Sequence, residues 1–141
     1  VKTCLQIVGR TVLGAGWAPI TVLVLHSVLG RAFGHEPFVD PVIHFSGGVA
    51  AAFFFRYACG VAGNLLGAPN DLAKDLVAFG LAVTVALLWE TGEFASDVWL
   101  GTHIQHDVAN TMRDLILGMG GAASYVLAAR VARSGRRRTD A

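Results

Sequence analysis

The chain has 141 residues, of which 54% are hydrophobic and only 15% charged, and its mean hydropathy is +0.56. A water-soluble domain carries ~25% charged residues, so this composition excludes an ordinary solvated surface and implies a chain embedded in lipid, with no length left for a separate soluble domain. The formal charge of +1 is unevenly spread: five of the eleven basic residues, Arg130, Arg133, Arg136, Arg137 and Arg138, lie in the last dozen positions. Beside an apolar helix that tail reads as a cytoplasmic anchor at anionic lipid, not as a nucleic-acid patch.

A helix needs ~20 apolar residues to cross a bilayer, and four stretches qualify. The first runs from Thr11 to Leu29, with a start as early as Leu5, and Pro19 inside it predicts a kink. Gly30 to Pro41 is a connection, broken by Gly34 and Pro37. The second span runs from Val42 to Ala62 and carries Phe53, Phe54 and Phe55 for lipid contact or core. Gly63 to Asp71 reads as a turn, with Gly67, Pro69 and an Asn70-Asp71 helix-start signal. The third span covers Leu76 to Asp97, Trp99 to His106 is the last connection, and the fourth span covers Val108 to Ala129. There is no internal repeat or low-complexity segment.

Short connections between consecutive spans predict an all-α fold: one domain, a four-helix transmembrane bundle running up-down-up-down. Lys2, Arg10, Lys74 and the arginine tail fall on one side and only Arg31 on the other, which puts both termini in the cytoplasm. Arg56 snorkels inward from the end of the second span. Cys4 and Cys59 both fall toward the cytoplasmic side and are expected as free thiols. No secretory signal is evident.

On this topology the polar groups are lopsided. His26, His35, His44, His103 and His106 fall in the outer half, as do Asp40, Glu90, Glu93, Asp97, Asp107 and Asp114. The cytoplasmic halves of the spans read as nearly free of such groups. Glu90, Glu93 and Asp97 are spaced i, i+3, i+7 and share a helix face, and Asp107, Asn110 and Asp114 repeat the spacing. An ionised group at the membrane centre costs ~2.5–3.5 kcal/mol on insertion scales. These acids must therefore point inward and pair, take up protons or bind a cation.

The expected centre is His44, Glu90, Glu93 and Asp114, with Asp97, His106 and Asp107 as further candidate ligands. Arg113 is the charge partner, able to neutralise a carboxylate on a neighbouring helix, and Asn110 gives hydrogen-bonding support. Asp97 and Asp107 fit a wet helix end equally well. Trp89 and Trp99 read as interfacial anchors, and His26, His35 and His103 as polar loop or helix-end residues.

Three chemistries fit. Oxygen and imidazole ligands suit a divalent metal such as zinc, iron or manganese, although Glu-x-x-Glu is not the Glu-x-x-His pair of carboxylate-bridged di-iron bundles. A carboxylate–histidine site suits acid–base work on a lipid-borne or periplasmic substrate. A purely structural network would fix helix register. Gly118 to Gly121 and the glycines after His44 suit close helix approach, leaving His44 oriented inward. Membrane lipids are the expected partners, with other membrane subunits if the chain is an accessory component of a larger complex and the lipid-facing exterior its working surface. Ion transport ranks lower, because the apolar cytoplasmic half offers no continuous polar path.

Trp89-Glu90-Thr91-Gly92-Glu93-Phe94 with Asp97, then Asp107 and Asn110-Thr111-Met112-Arg113-Asp114-Leu115 with Gly118 and Gly121, resemble the YjdF-like family of bacterial membrane proteins, as does His44-Phe45-Ser46-Gly47. A fainter similarity extends to VanZ-like proteins, which share a histidine in an early span and an acidic last span containing Asn and Gly. The match covers roughly the last two thirds of the chain. It implies a multi-pass protein of the bacterial inner membrane and, through the VanZ-like group's association with glycopeptide tolerance, an envelope or lipid-linked ligand. The chain is shorter than typical YjdF-like members, which is compatible with a reduced, accessory member.

Overall fold

The computed structural model describes residues 2–33, 39–105 and 107–139. Among these residues all regular structure is helical: α1 (Lys2–Ala15), α2 (Trp17–Phe33), α3 (Val39–Val61), α4 (Asp71–Leu100) and α5 (Val108–Thr139). Three helices are long and apolar enough to cross a membrane, Val39–Val61, Asp71–Leu100 and Val108–Arg136. The pair Thr3–Ala15 and Trp17–Leu29 makes a fourth only if counted as one span bent by 56°.

That bend revises the expectation of one continuous first span kinked at Pro19. Proline lacks an N–H and its ring conflicts with the carbonyl four residues earlier, here that of Ala15. The α1 hydrogen-bond ladder ends where the Gly16 N–H donates to the Val12 carbonyl at 2.9 Å, and α2 starts anew at Trp17. The break therefore lies one turn before the proline.

The other ends follow local chemistry. Pro41 sits in the first turn of α3, where its missing N–H has no helical partner to lose. The Asn70 side chain caps α4 by accepting from the Ala73 N–H at 2.9 Å. Gly101 closes α4 in the left-handed conformation (φ 66°, ψ 36°), its N–H donating to the Asp97 carbonyl. Asp107 caps α5 through the Asn110 N–H at 2.7 Å.

α3 is the hub. It packs against α1, α2, α4 and α5, whereas α1 and α2 touch only α3 and each other at the level of backbone packing. Cross-helix partners fix the directions. His44 meets Glu90 and Arg56 meets Asp75, so α4 runs antiparallel to α3. Asp40 meets Arg113 and Phe53 meets Tyr125, so α5 runs parallel to α3. The Trp17 ring meets that of Phe53 at a tilt while Val22 lies beside Gly47, so α2 is antiparallel to α3. The directions alternate along the chain, but the bundle is open between α2 and α4.

The α3–α5 seam is closed by glycine. A Cβ on Gly48 would collide with the Gly118 carbonyl oxygen and lie 3.0 Å from the Ala122 nitrogen. A Cβ on Gly121 would collide with the Phe45 carbonyl oxygen. The glycines read from the sequence as packing residues thus let two backbones touch, and dispersion between small residues holds the helices where lipid supplies no hydrophobic drive. Ala51, Ala52, Ala82 and Ala122 form the packed centre, flanked by Phe55, Phe79 and Tyr125.

Burial is inverted relative to a soluble protein. Among the described residues the largest side chains almost wholly buried are Asp75 and Asp114, while Leu13, Trp99 and Leu100 lie on the outside. An apolar exterior around a small-residue and acidic interior is the pattern that lipid as solvent selects. Cys4 is exposed and Cys59 buried, and both are free thiols.

Candidate functional site

The first polar cluster joins the start of α3, the end of α4 and the start of α5. Asp40 and His44 are one turn apart on α3, so both face the same way, and His44 Nε2 lies 3.3 Å from Asp40 Oδ1. On the other side of the ring, Nδ1 lies 3.5 Å from Glu90 Oε1. Arg113 bridges α5 to α3: its Nη2 donates to Asp40 Oδ2 at 2.9 Å and its Nε to Asp114 Oδ1 at 3.1 Å. Asn110 accepts from Arg113 Nη2 and donates to Asp114 Oδ2 at 2.6 Å. Asp40, His44 and Asp114 each bring one donor atom to within 4.8 Å of the others.

Glu90 is anomalous within this network. Its residue is only 4% exposed, and neither carboxylate oxygen accepts a hydrogen bond. The 3.5 Å approach to His44 is an ion-pair distance, too long for a hydrogen bond. A buried polar group without a partner is costly, which marks Glu90 as the place where the network is incomplete. Arg113 and His44 are among the basic groups that meet these carboxylates.

The other expected ligands have other partners. Glu93 accepts from the Trp89 indole N–H at 2.8 Å, and the Trp89 ring meets His26 edge-on at 5.3 Å. Trp89 is half-buried, with its indole N–H and its ring both engaged within the molecule. Asp97 organises the α4–α5 connection: it accepts from the Thr102 hydroxyl at 2.6 Å and from the backbone N–H groups of Ile104 and Gln105 at 2.7 and 2.8 Å. It shares the helical spacing of Glu90 but lies in the final turn, where the chain folds back over it. Asp107 is the α5 cap. His103 lies in the connection with a positive φ of 57°. His35 and His106 lie outside the described residues.

Two features escape the sequence reading. Asp40 belongs to the cluster, and its i, i+4 relation to His44 is the signal that would have placed it there. The halves of the spans that the sequence assigned to the cytoplasm are also not nearly free of ionisable groups. Asp75, 2% exposed, accepts from Arg56 Nε at 2.7 Å and Arg133 Nη2 at 2.6 Å, with Arg130 Nε at 3.6 Å. Asp71 takes the second arm of Arg56 at 2.8 Å. This second cluster joins the opposite ends of α3, α4 and α5, and here guanidinium groups outnumber carboxylates.

The chain thus carries an acid-rich cluster at one end and an arginine-rich one at the other, separated by a glycine–alanine waist. No curated protein and no solved structure matches it. A family model described as "Predicted membrane protein (DUF2238)" matches residues 13–135, and three helices in that stretch are long and apolar enough to cross a membrane. The chain belongs to that predicted membrane protein family, DUF2238.

Proposed function

We propose that this is a multi-pass protein of a bacterial inner membrane that binds a divalent cation through Asp40, His44 and Asp114, at the extracytoplasmic end of the bundle. The observation that carries the reading is the convergence of three donor atoms from two helices within 4.8 Å. Two carboxylate oxygens and an imidazole nitrogen suit zinc, manganese or iron(II).

Glu90 then acquires a role. Metal-bound histidines commonly donate their other ring N–H to a carboxylate, which fixes the tautomer and ring plane. Glu90 stands on the Nδ1 side of His44 and Asp40 on the Nε2 side, the order such an arrangement needs. Asn110 and Arg113 orient the Asp114 carboxylate. The arginine-rich cluster at the opposite end supports a cytoplasmic location for that end by the positive-inside rule. The likeness to YjdF-like proteins supports the bacterial inner membrane as the setting.

The test is metal content and titration in detergent solution. Protein purified, stripped and reloaded with zinc or manganese should hold one ion per chain, and His44→Ala and Asp114→Asn should each abolish stoichiometric binding while remaining monodisperse. A wild-type protein that takes up no ion overturns the proposal. So do variants that bind as well as wild type. Tolerance of both variants together with co-purification of a larger complex would instead select the accessory-subunit reading.

A further inference from the structure

The opening between α2 and α4 is a cleft of about 260 Å³. One wall is α2, with Val22 and Leu23; the other is α4, with Val85 and Trp89; Gly47 on α3 forms part of the floor, and His44 stands at one end. The cleft exists because α2 and α4 do not pack backbone to backbone. They are bridged where His26 meets Trp89. The walls are apolar, and the polar groups gather at the end where His44 leads to Asp40, Glu90 and Asp114.

We infer that the cleft holds one hydrocarbon chain of a lipid phosphate whose head group coordinates the cation at Asp40, His44 and Asp114. This inference rests on the cation-binding reading and names the ligand class that site would serve. Three protein ligands leave a tetrahedral or octahedral ion with at least one open position. Phosphate oxygen is the hard anionic donor that commonly fills such positions on divalent ions. An apolar cleft ending at a ligand residue suits an anionic head on a long chain better than a free phosphate, which would leave the cleft without a matching group. His44 is shared by both parts, at the cleft end through its ring and at the ion through Nε2, so a chain in the cleft would bring its head to the metal.

The experiment uses the whole protein in dodecyl maltoside, loaded with manganese, and measures binding of dodecyl phosphate, inorganic phosphate and dodecanoate. Dodecyl phosphate should bind at one per chain only when manganese is present, and both inorganic phosphate and dodecanoate should bind more weakly. Gly47→Leu sends a side chain into the cleft from a position where an added Cβ meets only Val22, at 4.0 Å. Val85→Trp fills the same space from α4. Each should abolish dodecyl phosphate binding and leave manganese binding intact. Manganese binding without any metal-dependent dodecyl phosphate binding would overturn the inference and leave the cation site standing. Equal binding of inorganic phosphate would show that the chain contributes nothing and overturn it as well. Unchanged dodecyl phosphate binding in both cleft variants would place the chain elsewhere, with the same consequence. Absence of manganese binding defeats the cation site first, and the inference with it.

Discussion

Adding a single methyl group at the α3–α5 seam should loosen the whole molecule, and the same change elsewhere on the helices should not. In Gly48→Ala the new Cβ would overlap the Gly118 carbonyl oxygen and sit 2.8 Å from its carbon. In Gly121→Ala it would overlap the Phe45 carbonyl oxygen and sit 3.0 Å from the Val49 nitrogen. The obstructing atoms are backbone in both cases, so no rotamer change relieves the clash and the helices must separate. Overpacking costs ~1–3 kcal/mol, and backbone obstruction argues for the upper half of that range. The substitution also removes a helical glycine, which returns ~0.5–1 kcal/mol. The net loss is about 1–2.5 kcal/mol. Gly80→Ala and Gly92→Ala are the controls: nothing lies within 4 Å of their added Cβ, so only the favourable propensity term acts. The assay is the rate of thiol labelling at Cys59, 5% exposed on α3, in a Cys4→Ser background during a thermal ramp in detergent. Gly48→Ala and Gly121→Ala should label at lower temperature than wild type, and Gly80→Ala and Gly92→Ala at the same temperature or higher. If all four variants behave alike, the seam is not held by backbone contact and the packing argument fails.

Asp75→Asn should destabilise the protein by about 3 kcal/mol, the lower end for breaking a buried ion pair, because Arg56 and Arg133 are themselves partly exposed; adding Arg56→Gln should recover part of that loss in the same labelling assay. Asp97→Ala should make the segment from Thr102 to Gln105 sensitive to limited proteolysis while manganese binding stays at wild-type strength; loss of the metal would return Asp97 to the ligand set. Glu90→Gln should weaken metal binding by ~10–100-fold without abolishing it, the range for a group that orients a ligand, and calorimetry that finds wild-type affinity would remove Glu90 from that role.

How much of this was legible in the sequence differs from one residue to the next, for physical reasons. The three long helices were, because lipid demands long apolar runs, whereas the break at Gly16 that divides the expected first span was not. The glycine seam was as well, since small residues inside an apolar span have few other uses. The acidic helix faces were only half readable. The spacing of Glu90, Glu93 and Asp97 gives a common face, but spacing cannot say where the helix stops being surrounded by its neighbours. The α4–α5 connection folds over Asp97 and supplies three donors, and Trp89 turns Glu93 aside. Asp40 was hidden by its place next to Pro41, which reads as the end of a connection although a proline fits the first turn of α3. Asp75 was hidden by a boundary: starting the span at Leu76 left the most buried acid of the arginine-rich cluster outside it, and α4 begins five residues earlier.

The two clusters and the waist between them make one argument. Asp40 and His44 are on α3 and Asp114 is on α5, so the 4.8 Å grouping of their donor atoms depends on the separation of two helices and not on any local motif. That separation is set one turn below His44, where Gly48 meets Gly118 with no side chain between them. At the far end Arg56, Asp75 and Arg133 tie the same two helices together through α4, which limits their freedom to splay. A site assembled this way needs no ligand to hold its shape. Only Glu90, buried and without a hydrogen-bond partner, lacks the satisfaction that the rest of the cluster has. A network meant solely to fix register would gain from pairing that carboxylate. Its position behind His44, on the side away from Asp40, is instead where a metal-bound imidazole would direct its second N–H.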